Sequence, residues 1–171
     1  MKVILYMAMS ANGYIADADG SENFLSTESW ERFCSLARKH GNFVVGRKTY
    51  DAVRAWSEGY NFDDLSDVTK VIISHAHAEP LPNGYNFVES PEAALGKLCA
   101  YETVLLTGGA TINSAFMKLG LIDEVILNVE PVFVGEGLPL FATTDFLRKL
   151  ELISSEKSVN GIMTLCYKIN K

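Results

Sequence analysis

The chain has 171 residues, of which 48% are hydrophobic and 21% are charged, and its formal net charge is −6. These values are ordinary for one globular domain spanning residues 1–171, and the acidic balance argues against a general nucleic-acid-binding surface. No uncharged run approaches the roughly 18 residues of a membrane span, and the three cysteines lack metal-ligand spacing. We therefore expect a cytoplasmic protein with no membrane partner, no nucleic-acid partner and no metal site.

Short apolar runs alternate with amphipathic segments along the chain, which predicts alternating strands and helices. In chain order, the expected strands lie at residues 3–9, 42–45, 70–74, 85–88, from 103, 124–129, 147–158 and 162–169. Helices are expected over 28–40, with Ser26 or Thr27 as the cap, and also from residue 46, from residue 90 and after Gly109. The polar or glycine-bearing stretches 17–23, 55–67, 75–84 and 134–141 are expected to be loops.

This alternation predicts an α/β fold with a mostly parallel sheet and helices on both faces. The last two strands are joined at Asn160-Gly161. Because Asn-Gly between extended runs is a strong signal for a hairpin, we expect an antiparallel pair at the C-terminus.

The chain is organised around Gly108-Gly109, which follows an uncharged β-branched and leucine run. Glycines let backbone N–H groups approach a ligand closely, and the start of the following helix attracts negative charge. A purely structural turn is the alternative for a lone glycine pair.

Two further strand ends carry polar groups, and these favour the ligand interpretation. Gly46-Arg47-Lys48-Thr49 follows one strand and Ser74-His75 follows another. In parallel sheets, ligands bind in the crevice outside the carboxyl ends of the strands. Cations, hydroxyls and backbone N–H groups at three such ends suit a ligand with several phosphates, such as a dinucleotide. Trp56 and Tyr60 are expected to lean over the same cleft.

No pattern for a protein nucleophile or a metal occurs in the sequence. It contains no Gly-x-Ser-x-Gly elbow, no His-Glu-x-x-His motif and no Walker loop. A protein that relies on a bound cofactor for its chemistry needs none of these.

Several motifs together resemble the dihydrofolate reductase superfamily, and within it the C-terminal reductase domain of bifunctional riboflavin biosynthesis proteins. The motifs are, in order, MSANGYIA at 9–16, VGRKTY at 45–50, LTGGA at 106–110, GLIDEV at 120–125 and EPVFVGEGLPLF at 130–141. The resemblance covers nearly the whole chain. It implies an eight-stranded mixed sheet, a small-molecule substrate, a homodimer and an NADPH-dependent reductase that resembles 5-amino-6-(5-phosphoribosylamino)uracil reductase.

The resemblance also implies which residues hold NADPH. Arg47, Lys48 and Thr49, after Gly46, would meet the adenosine phosphates, and Ser74 would join Arg47 at the 2′-phosphate. The pyrophosphate would be held by Thr107, Gly108, Gly109, Ala110 and Thr111. The nicotinamide pocket would be lined by Ala8, Ile15 and Ala16.

The substrate side departs from both branches of the superfamily. The helix carboxylate of the folate enzymes would fall at or near Trp30, with Glu31 beside it. Riboflavin-pathway reductases usually have Glu before the glycine pair and Asp in the first loop, where this chain has Thr107 and Asn12. Asn12, Glu31, Thr107 and Asn128 are therefore the candidates for the substrate side. Pterin reduction and nucleotide binding without turnover remain alternatives.

Overall fold

The computed structural model describes residues 1–56, 60–75, 84–142 and 145–170. The strands in this part of the chain are β1 (Lys2–Ser10), β2 (Tyr14–Asp17), β3 (Asn42–Gly46), β4 (Thr69–Ile73), β5 (Tyr85–Val88), β6 (Thr103–Leu106), β7 (Glu124–Glu130), β8 (Gly137–Pro139), β9 (Leu150–Lys157) and β10 (Met163–Ile169). The α-helices are α1 (Thr27–His40), α2 (Arg47–Arg54), α3 (Pro91–Lys97) and α4 (Ala110–Lys118). A single 3-10 turn covers Phe62–Asp64.

Eight strands form one sheet in the order β5-β4-β3-β6-β1-β7-β10-β9. The six from β5 to β7 run parallel, whereas β10 pairs antiparallel with both β7 and β9. This confirms the predicted α/β class, the mostly parallel eight-stranded sheet and the C-terminal hairpin. The hairpin strands are shorter than expected, since β9 begins at Leu150 and not at 147. A 2.9 Å backbone hydrogen bond from Ser158 to Ile162 closes the turn between them.

Helices cover both faces of the sheet, as the uncharged central strands require. On one face, Phe33 of α1 and Tyr50 of α2 pack in a buried cluster with Phe43 of β3. On the other face, Leu98, which follows α3, and Phe116 of α4 are buried in a second cluster. The sheet is therefore closed to solvent along its centre, and its strand ends are left to form a cleft.

Helix α1 begins and ends where the sequence predicts. The Ser26 hydroxyl accepts a hydrogen bond from the Ser29 N–H at 3.2 Å, and Gly41 ends the helix with a left-handed φ of 71°. Ser26, rather than Thr27, is therefore the cap. An N-cap serine satisfies one of the orphan N–H groups of the first turn and contributes about 1 kcal/mol.

The expectation of a plain loop over residues 134–141 is wrong. Residues 137–139 form β8, which pairs antiparallel with β2 in a small second sheet. The pairing depends on Gly137, because a Cβ at this position would lie only 2.2 Å from the carbonyl oxygen of Ala16. The expected loop at 75–84 lies mostly outside the described residues.

Candidate active site

The carboxyl ends of β4, β3 and β6 lie side by side, since these strands are neighbours in the sheet. Past the last paired residues, Gly46 donates its N–H to the Gly108 oxygen at 2.7 Å, and Thr107 donates to the Val44 oxygen at 2.9 Å. The predicted convergence of the three strand ends is confirmed. It joins the start of α2 and the start of α4 into one surface.

Both helices begin at this surface without a side-chain cap. Gly46 is the N-cap of α2 and Gly109 is that of α4, and neither can supply a capping side chain. Gly108 has a φ of +86°, the Gly108-Gly109 peptide is cis, and a Cβ on Gly109 would lie 2.8 Å from the Thr49 hydroxyl. The glycines therefore let the starts of α2 and α4 pack closely against each other, and we call the surface where the two helix starts meet the recess. Such a recess fits the phosphates of a dinucleotide.

The cations at the start of α2 lie at the edge of this recess. Lys48 is exposed, and the Arg47 Nε donates to both carboxylate oxygens of Asp51 at 2.8 Å. The Arg47 guanidinium lies 5.5 Å from the centre of the Phe87 ring on β5. It therefore leans toward the β4–β5 side of the sheet, where Ser74 donates its N–H to Val88 at 2.9 Å.

A cavity of about 450 Å³ adjoins the recess, and its lining includes Thr49 and Thr107. Ala8 of β1 and Ile15 of β2 also line it, which places two of the three residues expected at the nicotinamide pocket on its wall. The third, Ala16, is buried but is not part of the lining. The cavity therefore adjoins the recess through Thr49 and Thr107.

One wall of the cavity is aromatic. The Trp30 ring lies 5.8 Å from Trp56, 5.6 Å from Tyr60 and 5.8 Å from Phe62, measured between ring centroids. The expectation that Trp56 and Tyr60 lean over the cleft is confirmed, since both line the cavity. Offset and edge-on aromatic contacts favour planar ring systems, so this wall suits a flat heterocycle.

A buried carboxylate that was not among the candidates from the sequence bonds two residues of the cavity lining. Glu130, at the end of β7, is only 3% exposed. One of its oxygens accepts hydrogen bonds from the Ser26 N–H at 3.0 Å, the Ser26 hydroxyl at 2.7 Å and the Ser29 hydroxyl at 2.6 Å. Ser26 and Ser29 line the cavity. Glu130 therefore fixes the start of α1 against the central sheet.

The four substrate-side candidates are not brought together. Thr107 lines the cavity, but Asn12, Glu31 and Asn128 are not part of its lining. The Asn12 side chain bonds the backbone of Val134 twice, at 2.7 and 3.1 Å. Asn128 is fully buried and accepts a 2.8 Å hydrogen bond from Thr164.

Glu31 lies on an exposed part of α1, in an outer groove with Arg38 and Asp64. Its neighbour Trp30 lines both this groove and the cavity, whereas Glu31 lines the groove but not the cavity. Successive helix residues are about 100° apart around the axis, so the single-residue offset between the two positions decides which side chain reaches the site.

Glu22, in the loop after β2, is the carboxylate that lines the cavity. The described residues give its side chain no hydrogen bond and no ion pair. Burial alone raises the pKa of the Glu22 carboxyl from 4.5 to about 7. Nothing in the sequence distinguishes Glu22 from Asp17 or Asp19 in the same polar stretch, because its burial follows from how the loop folds.

Within the described part of the chain, no group of three or more histidine, cysteine, aspartate or glutamate side chains is arranged to hold a metal ion. No helix there is both long and apolar enough to cross a membrane.

The sheet order, the cleft at its strand ends and the C-terminal hairpin define a dihydrofolate-reductase-like α/β protein. The family model of the RibD C-terminal domain matches residues 1–164. The chain belongs to this family, which is that of the reductase domain of riboflavin biosynthesis enzymes. The resemblance seen in the sequence motifs is thereby confirmed.

Individual proteins are similar to this chain, and the solved structures among them share its fold. Uncharacterized protein YwjB of Bacillus subtilis is 28% identical over 88% of this chain and 88% of its own length. A pyrimidine reductase-like protein of Corynebacterium diphtheriae superposes with a TM-score of 0.78 at 15% identity, covering 99% of this chain and 92% of the other. The Thermotoga maritima diaminohydroxyphosphoribosylaminopyrimidine deaminase/5-amino-6-(5-phosphoribosylamino)uracil reductase has a TM-score of 0.75 at 18% identity, over 99% of this chain and 56% of that protein.

Proposed function

We propose that the protein is an NADPH-dependent reductase that transfers hydride to a small heterocycle. The observation that carries the proposal is that two uncapped helix starts, each preceded by a glycine, adjoin a cavity with an aromatic wall. The recess fits phosphates and the cavity fits planar rings, so one dinucleotide and one heterocycle can meet there. When bound, NADPH supplies the hydride.

The chain's own residues would bind and orient the two reactants. Gly108, Gly109, Ala110 and Thr111 would hold the pyrophosphate through the start of α4. Arg47, Lys48, Thr49 and Ser74 would hold the adenosine phosphates. Ala8 and Ile15 would border the nicotinamide, with Ala16 buried behind them, and Thr107 adjoins both the recess and the cavity. The aromatic wall of Trp30, Trp56 and Tyr60 would exclude water and hold the acceptor ring flat.

The substrate proposed first is the ribosylaminopyrimidine of riboflavin synthesis, because the family is that of this pathway's reductase domain. Dihydrofolate is the second candidate. Calorimetric titration with NADPH and NADH, followed by NADPH oxidation with each acceptor, tests the proposal. Binding of NADPH and its oxidation by either acceptor would support it. Binding without oxidation by a broad panel of pterins and pyrimidines would instead favour a non-catalytic nucleotide-binding protein, and no binding would overturn both readings.

Arg47→Ala is expected to weaken NADPH binding more than NADH binding. Loss of a charge-assisted hydrogen bond to the 2′-phosphate costs about 1.5–3 kcal/mol, or roughly 10- to 150-fold in Kd. NADH lacks that phosphate, so its binding affinity should change little in the Arg47→Ala variant. Calorimetry of both cofactors measures the difference. Equal losses would count against the assignment of Arg47 to the 2′-phosphate.

A matched control for the loss of positive charge is Arg148→Ala. Arg148 is exposed and donates to the backbone oxygen of Leu147 at 2.9 Å. It precedes β9, at the edge of the sheet opposite to β5 and separated from β3 by four strands. NADPH binding by this variant should match that of the wild type.

The protein is also proposed to be a homodimer. Every residue of the edge strand β9 is exposed, including Leu150 (46%), Leu152 (55%) and Ile153 (52%). An edge strand that exposes apolar side chains and unpaired backbone groups is a template for association with another chain. Light scattering should give twice the monomer mass, and Leu152→Asp should give a monomer with an unchanged circular dichroism spectrum. A monomeric wild type at micromolar concentration would refute the proposal.

A further inference from the structure

A hydride reaches carbon without a proton, so the reduction of a C=N or C=O group also needs a proton source. The reactants would meet in the cavity, and the described residues that line it include three titratable groups: Tyr6 of β1, Tyr60 after α2, and Glu22. The lining contributed by β2, α1 and α2 adds no further titratable or charged side chain among the described residues. Among the described residues, these three groups are therefore the candidates for the proton donor.

The two phenols are poorly placed to give up a proton. The Tyr6 hydroxyl is buried and donates to the Ser29 carbonyl at 2.6 Å, and burial strongly raises its pKa above the ordinary value. The Tyr60 hydroxyl shares a 2.5 Å hydrogen bond with Thr27 at the surface. Buried Glu130 already accepts three hydrogen bonds and does not line the cavity.

Glu22 differs from these groups in having no partner in the described structure. Glu22 lines a cavity whose lining also includes Ala8, Ile15 and the aromatic side chains. No charged neighbour contributes to its titration, because burial is the one cause of its raised pKa. An acid with a pKa near the working pH is protonated often enough to donate and acidic enough to do so readily.

The geometry points to Glu22 as the proton donor for the reduction, an inference that rests on the proposed function. The acceptor carbon receives hydride from the reduced dinucleotide, which is thereby oxidised, and the electron pair of the C=N or C=O bond moves to nitrogen or oxygen. The Glu22 O–H bond breaks as that atom takes the proton. The resulting carboxylate then regains a proton from solvent.

The first test measures the carboxyl without any cofactor. Its folded pKa of about 7 lies above the ordinary 4.5, so the stability that Glu22 contributes is fully present below about pH 4.5 and is lost as the pH rises through 7. Urea unfolding across this range should show that loss in the wild type, and Glu22→Gln should remove it. Glu102→Gln is the matched control, because Glu102 is exposed and precedes β6 at the opposite end of that strand from the cavity.

The second test follows NADPH oxidation with dihydrofolate and the riboflavin-pathway pyrimidine as acceptors. The Glu22→Gln variant should bind NADPH as the wild type does, and its kcat should be lower by roughly a hundredfold or more. The wild-type rate should fall above pH 7, whereas the rate of the variant should not show this fall. Glu22→Asp should restore part of the rate, and Glu102→Gln should leave it unchanged. A Glu22→Gln enzyme with the wild-type rate and pH profile would overturn the inference alone. A wild type that does not bind NADPH would overturn the proposed function as well, which separates the two failures.

Discussion

Glu130→Ala is expected to lower the free energy of unfolding by about 3–5 kcal/mol. The substitution removes the carboxylate oxygen that accepts three hydrogen bonds. Their donors, which are the Ser26 N–H and the hydroxyls of Ser26 and Ser29, would lose this acceptor. Hydrogen bonds to a charged group contribute about 1.5–3 kcal/mol each. All three hydrogen bonds share one Glu130 oxygen, so adding their separate contributions would overstate the lost free energy of unfolding. The expected loss is therefore smaller than that sum. Urea unfolding followed by circular dichroism measures it.

Two variants sharpen this experiment. Glu130→Gln keeps an acceptor oxygen in place and should cost less than Glu130→Ala. Glu124→Ala removes a carboxylate from the other end of the same strand, where it forms a partly exposed ion pair with Lys2. Such surface pairs contribute roughly 0–1 kcal/mol. If Glu130→Ala proved no more destabilising than Glu124→Ala, the buried network would not hold α1 to the sheet.

The sequence carried enough information to predict the sheet and the convergence of three strand ends. Uncharged runs such as 103–106 can be stable only in a strand covered on both faces, and turns rich in glycine mark where such strands end. Adjacency of the three strand ends then followed from the general behaviour of parallel sheets rather than from any one residue.

The substrate side could not be predicted in the same way, because its polar residues look alike in sequence. Asn12 and Asn128 have the residue type of ligand-binding amides, yet both are already bonded within the fold. Asn12 donates to Val134 and accepts from Ser10. Asn128 donates to Ser29 and accepts from Thr164. Glu22 has the composition of an ordinary solvated loop residue, yet it lines the cavity. Burial of a polar side chain depends on contacts between distant segments, which local patterns do not encode.

The pairing of β8 with β2 was missed for a related reason. A three-residue strand that contains glycine and proline shows no alternation, and both residues are depleted in strands. Its formation depends on a long-range contact between Gly137 and Ala16. The same glycine that argued for a loop in the sequence is what permits the strand.

Gly137→Ala is therefore expected to be strongly destabilising. The added Cβ would lie 2.2 Å from the Ala16 oxygen and 3.2 Å from the Ala16 carbonyl carbon. Both are backbone atoms, so no side-chain rotation relieves the clash and β8 must move away from β2. Overpacking that forces a backbone shift costs up to about 3 kcal/mol, occasionally more. Thermal unfolding should show the loss as a lowered Tm.

The control lies two residues away. At Gly135 an added Cβ meets no atom within 4 Å, and the backbone there does not have the left-handed φ that excludes other residues. Gly135→Ala should be neutral or slightly stabilising, by up to about 1 kcal/mol, because alanine lowers the conformational entropy of the unfolded chain. Because β2 carries Ile15 and Ala16, Gly137→Ala should also weaken NADPH binding where Gly135→Ala does not. Equal NADPH affinity in the two variants would mean that the β2–β8 pair supports the fold but not the nicotinamide pocket.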